Sequence, residues 1–91
     1  MSESDQQVIQ ELARRVDELE NWGQTEVSEL MVQLMESLSL GKGKVMKPMR
    51  KAITGYESGP NLVDCLALFS LEIVSERVAI AKTYVNTTTS N

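Results

Sequence analysis

Apolar residues in this chain recur at steps of three and four, and over no useful length do they alternate with period two. A stripe repeating near every 3.6 residues gathers on one face of a helix and scatters over both faces of a strand, so the pattern commits the backbone to helices. Val8, Leu12, Val16 and Leu19 mark a first helix over residues 5–21, broken at Asn21-Trp22-Gly23. Val27, Leu30, Met31, Leu34 and Leu38 mark a second, with Thr25 as the expected N-cap, Glu26 and Glu29 in its first turn, and Gly41 as its stop. Gly41-Lys42-Gly43-Lys44 reads as a flexible basic connector, after which Pro48 suits the first position of a short third helix running to Thr54 and closed by Gly55. Beyond the turn signal Glu57-Ser58-Gly59-Pro60-Asn61, Pro60 is expected to open a fourth helix with Leu62, Val63, Leu66 and Ala67 facing inward. Phe69-Ser70 marks a corner with Ser70 as a cap, and a fifth helix carries Ile73, Val74, Val78, Ala81 and Val85. The expected fold is all-α, a compact bundle of about five helices.

Ninety-one residues hold a single core, expected over residues 5–85, with disordered ends at 1–4 and in the Thr/Ser/Asn tail 86–91. Trp22, Tyr56, Phe69 and Tyr84 are the whole aromatic supply, so that core must be built from Leu, Val, Ile and Met. Met31, Met35, Met46 and Met49 fit core gaps, and equally an adaptable partner groove. Cys65, the single cysteine, is expected as a small buried apolar residue and suits a reducing compartment. No apolar run approaches a membrane span, and the acidic start is unlike a targeting peptide; a cytoplasmic protein is the expectation.

Catalytic chemistry finds little to work with. Histidine is absent, which removes the commonest general base and the commonest metal ligand together. No nucleophile–base set or metal-ligand cluster is present, and Asp17, Glu18 and Glu20 read as a solvated helix face. Gly41-Lys42-Gly43-Lys44 lacks the Walker spacing and the Ser/Thr after the lysine. The chain is therefore expected to be no enzyme and to hold neither metal nor cofactor.

Charge is the informative quantity. The net charge is −4, yet no acidic residue falls between Ser37 and Tyr56, while Lys42, Lys44, Lys47, Arg50 and Lys51 all do. The rest of the chain has four basic against thirteen acidic residues, nine units negative. A polyanion responds to the local field rather than the total. On the residues alone, this stretch is either a positive rim beside a helix N-terminus, suited to phosphate or base edges, or a solvated connector between two helical hairpins.

The ordered series Lys44-Val-Met-Lys-Pro-Met-Arg50, Ala52-Ile-Thr-Gly55, Gly59-Pro60 and Leu66-Ala-Leu68 resembles the C-terminal anticodon-binding region of glutamyl-tRNA synthetases. The likeness is densest over residues 41–78 and continues upstream into Leu19–Leu40. It implies a non-catalytic helical module that receives the anticodon arm of a tRNA, with Arg50 and the Gly59–Val63 turn against the bases. Lys42, Lys44, Lys47 and Lys51 would contact phosphates, and Pro60 and Leu62 keep the residue types of that turn. Val63 stands where some members have phenylalanine, and Ser70-Leu71 replaces a Gly-Lys corner. The alternative is a protein-interaction module, docking a second copy or a partner synthetase through the Val8/Leu12/Val16/Leu19 stripe.

Overall fold

A computed structural model describes residues 3–56, 59 and 61–89, with the backbone alone for residues 86–89. Its elements are α1 (Glu3–Val16), α2 (Gln24–Leu38), α3 (Lys42–Thr54), α4 (Leu62–Ala67) and α5 (Leu71–Thr89), and no strand occurs among the described residues. The all-α bundle expected from the periodicity is what the chain forms.

α1 begins at Glu3 and stops at Val16, so it ends earlier than the expected Asn21. Val8, Leu12 and Val16 are each 2% exposed or less, and Leu19 packs half-buried against the same core. This corrects the expectation of a docking seam: the stripe is consumed in covering α3 and α5 and offers nothing to a second copy or a partner synthetase. α2 has Gly23, not Thr25, at its N-cap, with no side-chain capping bond. Its stop is Ser39 rather than Gly41. Ser39 takes the left-handed conformation (φ 55°), and the amides of Ser39 and Leu40 both donate to the Met35 carbonyl.

Gly41 instead caps α3, where its carbonyl accepts from Lys44 and Val45 at 3.1 and 3.3 Å. The basic connector is thus helical, and Pro48 sits inside the helix rather than opening it. Burial explains this. Val45 is fully buried, so the core draws in the turn before Pro48 and offsets what the proline costs there: the bond its missing N–H would have made to Lys44 and the crowding of its ring against that carbonyl. Gly55 closes α3 in the left-handed region (φ 86°), as expected. α3 packs against all four other helices, which makes the basic segment the hub of the fold.

α4 is capped by Asn61, whose side chain accepts from the Asp64 amide at 3.2 Å; Pro60, expected at this start, lies outside the described residues. Leu62 and Leu66 are buried, while Cys65 is only half-buried. Ser70 caps α5 through a bond from the Ile73 amide (3.2 Å), and Val74, Val78 and Val85 face inward. Ile73 is 41% exposed. It falls on the outer face with Ile80 and Tyr84, which follow it at steps of seven and four, while each lies one or two residues from a buried valine and so about 100° or more around the helix. The α5 backbone continues to Thr89, past the expected end at Val85. Trp22 closes the bundle: its indole N–H donates to the Leu66 carbonyl at 2.8 Å. Met49 is fully buried and Met31, Met35 and Met46 pack half-buried around the core, so the methionines fill gaps.

Candidate nucleic-acid interface

Once residues 42–54 form one continuous helix, Gly43, Met46, Lys47 and Arg50 follow at three- and four-residue steps on a single face. That face is one wall of an open cleft of about 1090 Å³, with Lys44 on its rim. Ser39, Leu40 and Gly41 from the α2–α3 turn, Gly59 from the loop after α3, and Ser4 and Asp5 from the start of α1 complete the lining.

Arg50 is the anchor. It is 7% exposed, the one buried charged side chain among the described residues. A Cβ built on Gly59 would lie 3.1 Å from Arg50 Nη1, so the absence of a side chain lets the loop close over the guanidinium. A buried guanidinium presents a planar fork of donors, suited to phosphate oxygens or base edges. Thr54 donates its hydroxyl to the Arg50 carbonyl at 2.7 Å, tightening the last turn beneath it.

The N-terminus of α3 adds to the positive field. Its first turn has no acidic residue but contains Lys42 and Lys44, next to amides that carry the positive end of the helix dipole. Cations there lower helix stability and raise the attraction for an anion. α1 is arranged the opposite way, with Glu3 and Asp5 in its first turn and Arg14 and Arg15 in its last. There Arg14 bonds Glu11, Arg15 reaches the same carboxylate at 3.0 Å, and Arg14 approaches Glu18 at 3.6 Å. Arg14's hydrogen bond, aided by both arginine charges against partial desolvation, holds the Glu11 carboxyl below the usual glutamate range. No such ion pair engages Lys44, Lys47 or Arg50 among the described residues.

Of the residues expected at the interface, Lys44, Lys47, Arg50 and Gly59 come together in the cleft. Lys42 and Lys51 are exposed on α3 outside its lining, and Pro60 lies outside the described residues. Leu62 is 2% exposed in the core, so it supports the turn from beneath rather than facing a ligand. Ser39, Leu40, Met46, Ser4 and Asp5 were not anticipated. Met46 becomes visible once the helix is extended back to Lys42; Ser4 and Asp5 arrive from a distant helix and leave no local signal. No group of three or more metal-ligating side chains occurs among the described residues, and no described helix is long and apolar enough to cross a membrane.

The family model for an anticodon binding domain matches residues 1–82. The glutamate–tRNA ligase of Dichelobacter nodosus is 31% identical over 75 residues, 82% of this chain and 16% of the ligase. That of Mycoplasmopsis pulmonis is 27% identical over 78 residues, 86% of the chain and 16% of the ligase. Glutamate–tRNA ligase 2 of Novosphingobium aromaticivorans is 37% identical over 62 residues, 67% of the chain and 13% of the ligase. The chain thus spans about a sixth or less of the length of these relatives. No solved structure gives a significant match.

Proposed function

The chain belongs to the anticodon binding domain family, and from that premise we propose that it is a non-catalytic module that binds the anticodon arm of a tRNA, with glutamate tRNA as the first candidate. The observation that carries this reading is the meeting of Lys44, Lys47, Arg50 and Gly59 in one cleft beside the α3 N-terminus. Lys44 and Lys47 supply the phosphate contacts, which position the strand, and Arg50 supplies the forked donor that reads a base edge or grips a phosphate. Lys42 and Lys51, exposed on the same helix, extend the field to the flanking backbone. With so few cations, affinity is modest and falls steeply with salt. Its setting on this reading is the cytoplasm, where tRNA circulates.

The test is a salt-titrated binding measurement with a glutamate-tRNA anticodon stem-loop beside one of scrambled loop sequence. The reading expects preference for the native loop and a negative salt slope; no preference and no slope would end it. Arg50→Ala, its fold checked by circular dichroism, should cost roughly 1–3 kcal/mol of binding if the contact is bidentate. Arg50→Lys keeps the charge but loses the fork, and should recover only part of the loss.

A further inference from the structure

Three of the four aromatic side chains have structural employment or stand apart from the cleft. Trp22 is half-buried and bonded to the Leu66 carbonyl. Phe69 packs half-buried on the core with the Arg77 guanidinium 5.1 Å above its ring. Tyr84 is on α5, which contributes no residue to the cleft lining. Tyr56 differs. It is 73% exposed, immediately after the Gly55 cap and three residues before Gly59, the loop residue that closes over Arg50.

Its backbone is also held. The Tyr56 amide donates to Thr54 Oγ1 at 3.1 Å, and that hydroxyl donates onward to the Arg50 carbonyl at 2.7 Å. A relay of two hydrogen bonds therefore ties the tyrosine to the residue that anchors the cleft. Three residues of chain span at most about 11 Å, so the Tyr56 backbone lies within that distance of Gly59, which lines the cleft, and an exposed ring there can meet a base next to one that occupies it. An aromatic on a tethered backbone offers a π-face with little ordering cost on binding, which is what splayed single-stranded bases stack on.

We infer that Tyr56 is a stacking platform for an unpaired base of the RNA loop whose neighbouring nucleotide lies in the Lys44/Lys47/Arg50 cleft. The inference rests on the proposed RNA-binding reading and assigns the sequence-tolerant, salt-independent part of the affinity to one side chain.

The test is fluorescence anisotropy with a labelled anticodon stem-loop and the variants Tyr56→Ala, Tyr56→Leu and Tyr56→Phe, each with its melting temperature measured. Stacking predicts that Ala and Leu weaken binding about five- to a hundredfold, that Phe stays within about twofold of wild type, and that all keep the wild-type salt slope. Exposure of the side chain predicts unchanged melting temperatures. Wild-type affinity in Tyr56→Ala, or equal binding by Leu and Phe, would overturn the platform while leaving the cleft reading intact. Absence of binding by the wild type itself would remove the RNA reading and this inference with it.

Discussion

α1 and α3 pack against each other, and each carries arginine or lysine, but the two helices spend their cations differently. In α1 the acids stand at the N-terminus and the arginines at the C-terminus, as the dipole prefers, and Glu11 and Glu18 engage the guanidinium of Arg14. In α3 the N-terminus breaks that rule: Lys42 and Lys44 crowd the positive end of the helix, Lys51 in the last turn keeps it, and the stretch between Ser37 and Tyr56 contains no acid. On the proposed reading, α1 serves stability and α3 stays attractive to an anion, and a local rule kept in one helix and broken at the start of its neighbour is what a trade of stability for function would leave.

The sharpest way to break this comparison is to remove what α1 contributes. Leu12→Ala takes a fully buried side chain from the centre of the α1 stripe and should cost about 2–5 kcal/mol in urea unfolding. Against the modest stability of a domain this size, that is a large fraction of the whole. A loss under about 1 kcal/mol, comparable to a surface substitution, would deny α1 its structural role.

A smaller effect of opposite sign is expected in α3. Lys44→Glu places an acid in the first turn and should stabilise the fold by about 0.3–1 kcal/mol, while weakening RNA binding and flattening its salt slope by about one or more. Stability and binding moving in the same direction would refute the trade-off between the two helices.

The smallest effect lies in α1 and depends on pH. Because the folded state holds the Glu11 carboxyl below its ordinary range, the unfolded chain takes up its proton first on acidification. The contribution of Glu11 is therefore complete above the ordinary glutamate range and is lost as pH falls through the lowered folded value. The difference in urea midpoint between wild type and Glu11→Gln should be small at neutral pH, since the pair is largely solvated, and should vanish in acid. A difference that grows on acidification would contradict the sign.

Much of this architecture was legible from spacing alone, because burial follows the 3.6-residue period whatever the tertiary detail. Val8, Leu12, Val27, Leu34, Val74 and Val78 all lie where the stripes put them. The misplacements are at boundaries where two local preferences competed. Glycine's liking for the left-handed position pointed to Gly41, yet Ser39 takes that conformation and Gly41 caps the next helix. Proline's liking for the first helical turn pointed to Pro48, yet burial of Val45 draws the helix back to Lys42. The cleft was half legible. Lys44, Lys47 and Arg50 could be named from charge, but their convergence needed the longer helix, and the lining supplied by Ser4 and Asp5 depends on packing across the bundle.

The hydrogen bond from Trp22 to the Leu66 carbonyl joins residues 44 apart in sequence. It fastens the two ends of a loop that contains all of α2 and α3 and all of α4 but its last residue. Half the chain, including every cation of the cleft, is thus drawn into a ring whose ends are held by the indole and, beside it, by the Gln24 side-chain amide donating to Asp64 Oδ1 at 2.8 Å. Closing so long a ring costs entropy that grows only slowly with its length, so these contacts are well placed to make the enclosed segment open and close as one cooperative unit. An excursion that released the tryptophan would loosen the cleft as a whole, without unravelling α3 from its basic end.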